Sequence, residues 1–412
     1  MERKWTEEQR RVIEVEERNL LVSAAAGSGK TAVLVERIIR KITDKSHPID
    51  IDRLLIVTFT NAAAAEMRER IGLALAKALE KQPDNVHLQR QQTLLHNAQI
   101  TTIHSFCLYV IRNYFHRIEM EPDFRVAEEG ELKLLRSDVL DRVLEQYYQE
   151  AKPEFLALSE TIATGKTDQP LKETILKLFS FAMSYPWVEE WLEECRAPFQ
   201  VESMEEFEEL PMTEALLAYL NNLSAQWARQ LEQCVQISLM GDGPQSYAAL
   251  LQEEQETFEK ISACSTFEEY YECVRAVSFG RLPALRKFAG DAAKKERVQK
   301  LRNEVKASVK KITEQFFFQS PQKTMEDMGK SRPAADMLIE VTLAFIHAFA
   351  EKKREKNMLD FNDFEHYALK ILVDEHSHKP SRTAEELRRN YEEIMIDEYQ
   401  DSNNVQETIL RA

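Results

Sequence analysis

Apolar and polar positions are laid out in blocks along the chain. Four short runs of leucine and β-branched residues, Leu20–Val22, Leu54–Val57, Ile100–Thr102 and Ile394–Ile396, have the unbroken apolar character of strands buried on both faces of a parallel sheet. The first three are each followed by residues at helical spacing. Across 31–42, Val33, Leu34, Ile38 and Ile39 form one stripe, with Glu36, Arg37 and Arg40 expected outside it. Asn61 to Leu79 is alanine-rich, and Thr60 or Asn61 carries a side chain able to cap its start. This alternation predicts an α/β domain with a parallel sheet.

From about Glu121 to Asn357 the pattern turns helix-rich and charged, with few strand signals and no repeat. It holds an acidic block, Glu189 to Leu210, and a basic one, Lys294 to Lys311. The expected organisation is therefore one α/β domain from residues 1–120 and 358–412, interrupted by a mostly helical insertion over 121–357. Met358 to Leu372 leads back towards Tyr391–Ile396, where the sheet is expected to resume.

Composition narrows the class. A chain of 412 residues has room for two or three cores, and 43% hydrophobic with 30% charged residues is ordinary for a globular protein. No apolar run reaches about 18 residues, which predicts no membrane span. The polar start, Met1-Glu-Arg-Lys-Trp-Thr-Glu-Glu, lacks a signal-like segment, which predicts a cytoplasmic protein. The five cysteines, Cys107, Cys195, Cys234, Cys264 and Cys273, form no C-x-x-C pair and read as reduced core thiols. The net charge of −16, from 54 basic and 70 acidic side chains, opposes general affinity for nucleic acid. Any DNA site must be a local patch or be completed from elsewhere.

The strongest chemical signal is Ala24-Ala25-Ala26-Gly27-Ser28-Gly29-Lys30-Thr31, between an expected strand and an expected helix. Glycines let backbone N–H groups curl round phosphate oxygens, and the helix start adds partial positive charge. Lys30 would neutralise β- and γ-phosphates, and Thr31 would offer its hydroxyl to Mg2+. Ala24 stands where the general pattern has its first glycine. The second signal is Ile394-Met-Ile-Asp397-Glu398-Tyr-Gln400-Asp401, an apolar strand ending in two carboxylates at the sheet's carboxyl edge. Asp397 would hold the metal and Glu398 would orient and deprotonate the attacking water. Gln400 is placed to couple hydrolysis to movement. Gln9, after Trp5-Thr-Glu-Glu, has an amide that matches the N6 and N7 groups of adenine, which points to ATP.

Two further segments follow strands: Thr58-Phe59-Thr60-Asn61 and Thr102-Ile103-His104-Ser105-Phe106. Their hydroxyls and amides suit phosphates, and Phe59 and Phe106 offer rings to unpaired bases, although Phe106 reads equally as core and His104 as an interior histidine. Lys294 to Lys311 carries eight basic and two acidic residues; a solvated helix face is the favoured reading over a duplex contact. In Leu359-Asp360-Phe361-Asn362-Asp363-Phe364 the acids resemble a metal pair, but Asp360 or Asn362 as a helix cap is preferred.

Taken together, Ala24–Thr31, Thr58-Phe-Thr-Asn-Ala-Ala, Thr102-Ile-His-Ser-Phe and Asp397-Glu-Tyr-Gln-Asp resemble, in order, the UvrD/Rep-like helicases of superfamily one. Within them the chain is similar to the AddA-type helicase–nucleases of bacterial AddAB complexes, through Ala-Ala-Gly-Ser-Gly-Lys-Thr-Ala-Val-Leu-Val-Glu-Arg and Asp360-Phe-Asn-Asp-Phe-Glu-His-Tyr. Ala24 is usual there. The resemblance covers essentially the whole chain, more loosely in the insertion. It implies a RecA-like P-loop NTPase domain using ATP and Mg2+ for 3′→5′ movement on single-stranded and duplex-end DNA, an AddB-type partner and a metal-dependent nuclease, acting in double-strand-break repair. Carried over by position, Gln9 contacts adenine, residues 24–31 the phosphates, and Asp397 and Glu398 magnesium and water. Phe59, Thr60, Asn61, Thr102, His104 and Ser105 line the DNA path. The chain ends before the family's later motifs, so it is expected to be the first motor domain of a longer protein and nearly inactive alone. A UvrD/Rep-type helicase without nuclease, and a nucleotide-gated DNA-binding module, stay open as alternatives.

Overall fold

The computed structural model describes residues 4–412 apart from 17–18, 26, 45, 119, 122, 164, 166 and 286–287. The chain is mostly helical with a small parallel sheet. Strand β1 (Leu54–Thr58) lies between β2 (Gln99–Thr102) and β5 (Glu393–Ile396), both parallel to it, in the order β2-β1-β5. All five β1 residues are buried, because helices cover both faces. Leu54 and Ile56 pack with Ile38 and Ile42 of α2 (Lys30–Thr43) and Met67, Ile71 and Leu75 of α3 (Asn61–Lys81). Leu55 and Val57 face the other way, towards Phe106, Val110 and Ile111 and the helix Phe361–Leu372. One strand thus organises two apolar layers.

Before α2, the short helix α1 (Glu7–Glu14) starts on a Thr6 capping box. After β1, α4 (Val86–Leu94) follows α3, and α5 (Ile103–Tyr114) follows β2. Leu20–Val22 is not a strand: it has no regular secondary structure, is exposed, Leu21 by 79%, and joins no ladder among the described residues. Three residues supply too few ladder bonds to hold a strand without a partner, and the described backbone bonding here is local, Ser28 N–H donating to the Ala25 carbonyl at 3.2 Å. Two strands of two residues each, β3 (Arg125–Val126) and β4 (Met358–Leu359), pair in parallel; they are too short for any periodicity to register.

Two compact units divide the chain. The first comprises 1–150, 165–191 and 341–412, and the second 151–164 and 192–340. The boundaries thus differ from an insertion spanning 121–357. Helix Glu129–Glu150 belongs to the first unit, as does the contact of Phe179 with Phe345 and Phe349 at ring separations of 5.3 and 6.1 Å. The second unit is built of helices Pro211–Leu239, Ala248–Ile261, Phe267–Ala276 and Ala292–Phe316 round Trp227, Phe258, Tyr270 and Phe317. Within it, Arg302 of the basic block turns inward, its Nε 2.8 Å from Glu254. One stretch within 292–355 is long and apolar enough, by length and composition, to cross a membrane, against expectation. Phe345 and Phe349, within that range, are almost wholly buried against Phe179. All five cysteines are free thiols.

Candidate nucleotide and nucleic-acid site

The phosphate-loop residues sit where the chain enters α2. Gly27 and Gly29 adopt φ of 77° and 86°, a region costly for residues with a Cβ, and Gly29 caps the helix. A Cβ at Gly27 would meet nothing within 4 Å, so glycine supplies backbone freedom there rather than space. Ala24 is half-buried and Ala25 exposed; Ala26 lies outside the described residues. Lys30 and Thr31 form the first helical turn, which contains no acidic side chain. The positive end of the helix dipole is therefore uncompensated, as an anion site requires. Gln9 reaches this loop from α1: its Nε2 donates to the Ser28 carbonyl at 3.2 Å, while its Oε1 accepts the Thr6 N–H at 3.0 Å.

The acid pair stands at the carboxyl edge of the sheet. The Asp397 N–H donates to the Val57 carbonyl at 2.9 Å, carrying the β1–β5 ladder to its end. The Asp397 carboxyl is raised above the ordinary aspartate range, first by burial and then by Glu398, against the Glu398 N–H and the Lys30 ammonium, which both favour its charge. Lys30 and Asp397 thus act on each other across the sheet edge. Glu398 is exposed at φ 57°, a strained turn for a residue with a side chain. Gln400, also exposed, donates from Nε2 to Glu398 Oε2. Among the described residues neither Asp397 nor Glu398 has an ion-pair partner within 4.0 Å, so the two adjacent carboxylates leave negative charge to spare.

Beside them, Thr58 and Thr102 are paired in register at the ends of β1 and β2. Thr60 caps α3, its hydroxyl accepting the Ala63 N–H at 3.1 Å, and Asn61 follows, exposed. Phe59 is 62% exposed. Thr102 caps α5 and lies 2.9 Å, hydroxyl to hydroxyl, from Ser105. Phe106 is core, against Tyr109 and Tyr391. The His104 Nε2 lies 3.0 Å from the Glu365 carboxylate, and its ring centroid 4.7 Å from that of Phe361.

Two buried charges at this site were not singled out in sequence. Arg37, expected outside the α2 stripe, is buried: its Nε bonds Glu393 of β5 at 2.7 Å and its Nη1 donates to the carbonyls of Val12 and Val15 at 2.7 Å each. It stands one turn after buried Val33, on the same side of the helix, and Glu393 neutralises it together with Lys41. One guanidinium thus ties α1, α2 and β5. Glu365, also buried, accepts from Asn403 Nδ2 at 3.0 Å and Gln406 Nε2 at 2.6 Å besides facing His104. Burial opposes its charge, but the bonds from His104, Asn403 and Gln406 outweigh burial and hold the carboxyl below the usual glutamate range. A lone acid between Phe364 and Ala368 on an apolar helix stripe was the available signal.

The acids of Asp360–Asp363 resolve as helix-start residues. Asp360 caps Phe361–Leu372 in a capping box with Asp363, and buried Lys353 bonds Asp360 at 2.9 Å and both Asp363 oxygens at 2.7 Å. Among the described residues no group of three or more His, Cys, Asp or Glu is arranged to hold a metal ion. Asp397 and Thr31 would provide only two protein ligands, which suits magnesium, an ion that keeps several waters and is otherwise bound through phosphates.

A family model described as the UvrD/REP helicase N-terminal domain matches residues 5–412. The chain is 46% identical over 415 residues to an ATP-dependent helicase/nuclease subunit of Lachnoclostridium phytofermentans, covering 99% of this chain and 30% of that protein. It is 42% identical to the corresponding protein of Clostridium beijerinckii, covering 99% and 33%, and 41% identical to that of Anoxybacillus flavithermus, covering 100% and 34%. The chain therefore spans about a third of the length of the curated relatives it matches. A glycine loop facing a strand-end acid pair, within a match running almost from end to end, places the chain in the family of UvrD/REP helicase N-terminal domains.

Proposed function

We propose that this chain is the RecA-like ATP-binding motor domain of an AddA-type helicase–nuclease, which moves 3′→5′ on single-stranded DNA while processing duplex ends for recombination. The observation that carries this reading is the action of Lys30 on Asp397 across the carboxyl edge of the sheet. A lysine from the phosphate loop thus lies near enough to a carboxylate at the end of the last strand to favour its charge, as joint binding of a metal-bound triphosphate requires. Backbone N–H groups of 27–31 and the Lys30 ammonium bind the phosphates. Thr31 and Asp397 would hold magnesium, which when bound would neutralise phosphate charge. Glu398 orients the attacking water and accepts its proton at the carboxylate, and Gln400, bonded to Glu398, couples hydrolysis to movement. Gln9 reaches adenine by releasing its bonds to Thr6 and Ser28.

Phe59, Thr60, Asn61, Thr102, His104 and Ser105 form one wall of the DNA path. The opposite wall, the nuclease and the contact with an AddB-type partner belong to the remainder of such a protein, which also accounts for DNA binding by a chain of net charge −16. The test is a titration of a fluorescent ATP analogue with magnesium into the chain. Lys30→Ala is expected to weaken binding more than tenfold, while Glu398→Gln binds as the parent does. Equal affinity of the Lys30→Ala chain would sink the nucleotide assignment.

A further inference from the structure

We propose that Arg37 is a positioning residue for the choice of nucleobase: from α2 it holds α1 in place, and with α1 the Gln9 amide that meets adenine. The inference rests on the reading of Gln9 and residues 24–31 as an ATP site. Helix α1 has little else to hold it. Of its eight residues only Ile13 is buried, and an isolated helix of this length is not stable in water. The Thr6 capping box, with Gln9 as the third helical residue, orders the first turn from within. It does not tie that turn to the rest of the fold.

Arg37 supplies the tie. Its Nη1 donates at 2.7 Å to the carbonyls of both Val12 and Val15, at the end of α1 where carbonyls lack helical partners and the dipole favours a cation. Glu393 of β5 holds the Nε at 2.7 Å, so the guanidinium is aimed at α1 instead of turning freely. The group is buried, which strengthens each of these bonds. A second link between the two helices, Arg40 to Glu14 at 3.0 Å, is exposed and contributes little. Helix α2 also begins with Lys30. One rigid element therefore carries the phosphate end of the site at its start and, about two turns on, holds the base end through Arg37. The Gln9 Nε2 bond to the Ser28 carbonyl at 3.2 Å shows the two ends meeting. A single amide selects a base only when its place is fixed. Loosening α1 should blunt the choice of base and spare the phosphates.

The experiment uses the 412-residue chain with magnesium and a fluorescent ATP analogue, displaced in turn by ATP, GTP and inorganic tripolyphosphate. The parent is expected to prefer ATP to GTP. Arg37→Lys has one ammonium, which cannot serve Glu393 and both carbonyls together. It is expected to cut the ratio of ATP to GTP affinity roughly five- to hundred-fold, the range for one lost amide–adenine pair, and to leave tripolyphosphate within about twofold. Arg37→Met, which fills the space without a donor, should match it. The ratio is read within one protein, so a reduced folded fraction cancels from it. Gln9→Ala should give the same loss, and the double variant no more than either alone, because both act through one contact. If Arg37→Lys and Arg37→Met keep the parent ratio, or weaken all three competitors alike, or if their loss adds to that of Gln9→Ala, the proposal is overturned. A parent that binds tripolyphosphate without preferring ATP to GTP also overturns it, yet leaves the phosphate site standing. A parent that binds none of the three removes the nucleotide reading itself.

Discussion

Two pairs of acids stand just beyond short strands in the first unit, and they have opposite fates. Asp360 and Asp363 follow β4 and are locked: one caps a helix, the other closes the box, and a buried lysine bonds both. Asp397 and Glu398 follow β5 and are open, with Lys30 acting on Asp397 through space, Glu398 exposed, and no ion-pair partner within 4.0 Å among the described residues. In sequence both read as carboxylates after apolar residues. What separates them is whether the fold supplies a neutralising partner. A satisfied pair is stability; an unsatisfied pair at a sheet edge is capacity for a ligand.

That contrast breaks first at Glu398→Gln. The open pair carries no fold, so stability should shift by under about 0.5 kcal/mol. ATP turnover, measured in a preparation that hydrolyses ATP, should fall by roughly 10²–10⁴, the weight of a general base. A variant with unchanged turnover would remove Glu398 from that role. The mirror experiment is Lys353→Met. Leaving two buried carboxylates unpaired should cost about 3–5 kcal/mol of stability at neutral pH by urea unfolding. Burial pushes Asp363 up to about 6, so it takes up a proton in the folded protein at a pH where the unfolded chain stays ionised. The penalty of Lys353→Met should therefore shrink between pH 7 and pH 5. If it is the same at both values, the acids are not what Lys353 neutralises.

Glu365 lies between these extremes, buried like the locked pair but facing the expected DNA path. Its folded pKa is depressed, so its contribution is fully present above the ordinary glutamate value and is lost as pH falls through the folded one. Glu365→Gln presents an amide NH2 to three donors and should cost about 1–3 kcal/mol at pH 7. Its unfolding should also be less sensitive to acid below pH 4.5 than that of the parent. An identical acid profile in both proteins would show that the charge of Glu365 contributes nothing.

How far these outcomes were legible in sequence follows the same division. The glycine turn before α2, the end of β5 and the start of α3 were readable, because glycines, strand-end acids and capping hydroxyls act within a few residues of themselves. Leu20–Val22 was misread because a strand exists only through a partner, and apolar character does not reveal one. Arg37 and Glu365 were passed over because their partners, Glu393 and His104, are remote in the chain, and long-range pairing leaves no local signature beyond a charge on an apolar stripe. The unit boundaries moved for the same reason: Phe179, Phe345 and Phe349 share a core across a gap in sequence.

The finest test asks of a hydroxyl what the acid pairs ask of carboxylates. Thr60 was expected on the DNA path, yet its oxygen already accepts the Ala63 N–H as the cap of α3. If capping is its whole role, Thr60→Ala should cost about 1 kcal/mol of stability, Thr60→Ser almost nothing, and oligothymidylate affinity measured well below the melting temperature should be unchanged in both. A hydroxyl serving phosphate as well would give a different pattern, with Thr60→Ala weakening DNA binding and Thr60→Ser restoring it. The lone pair engaged at Ala63 leaves the hydroxyl proton available, so the second pattern requires only that this proton point to the DNA. Stability and affinity measured on the same two variants therefore separate a cap from a contact.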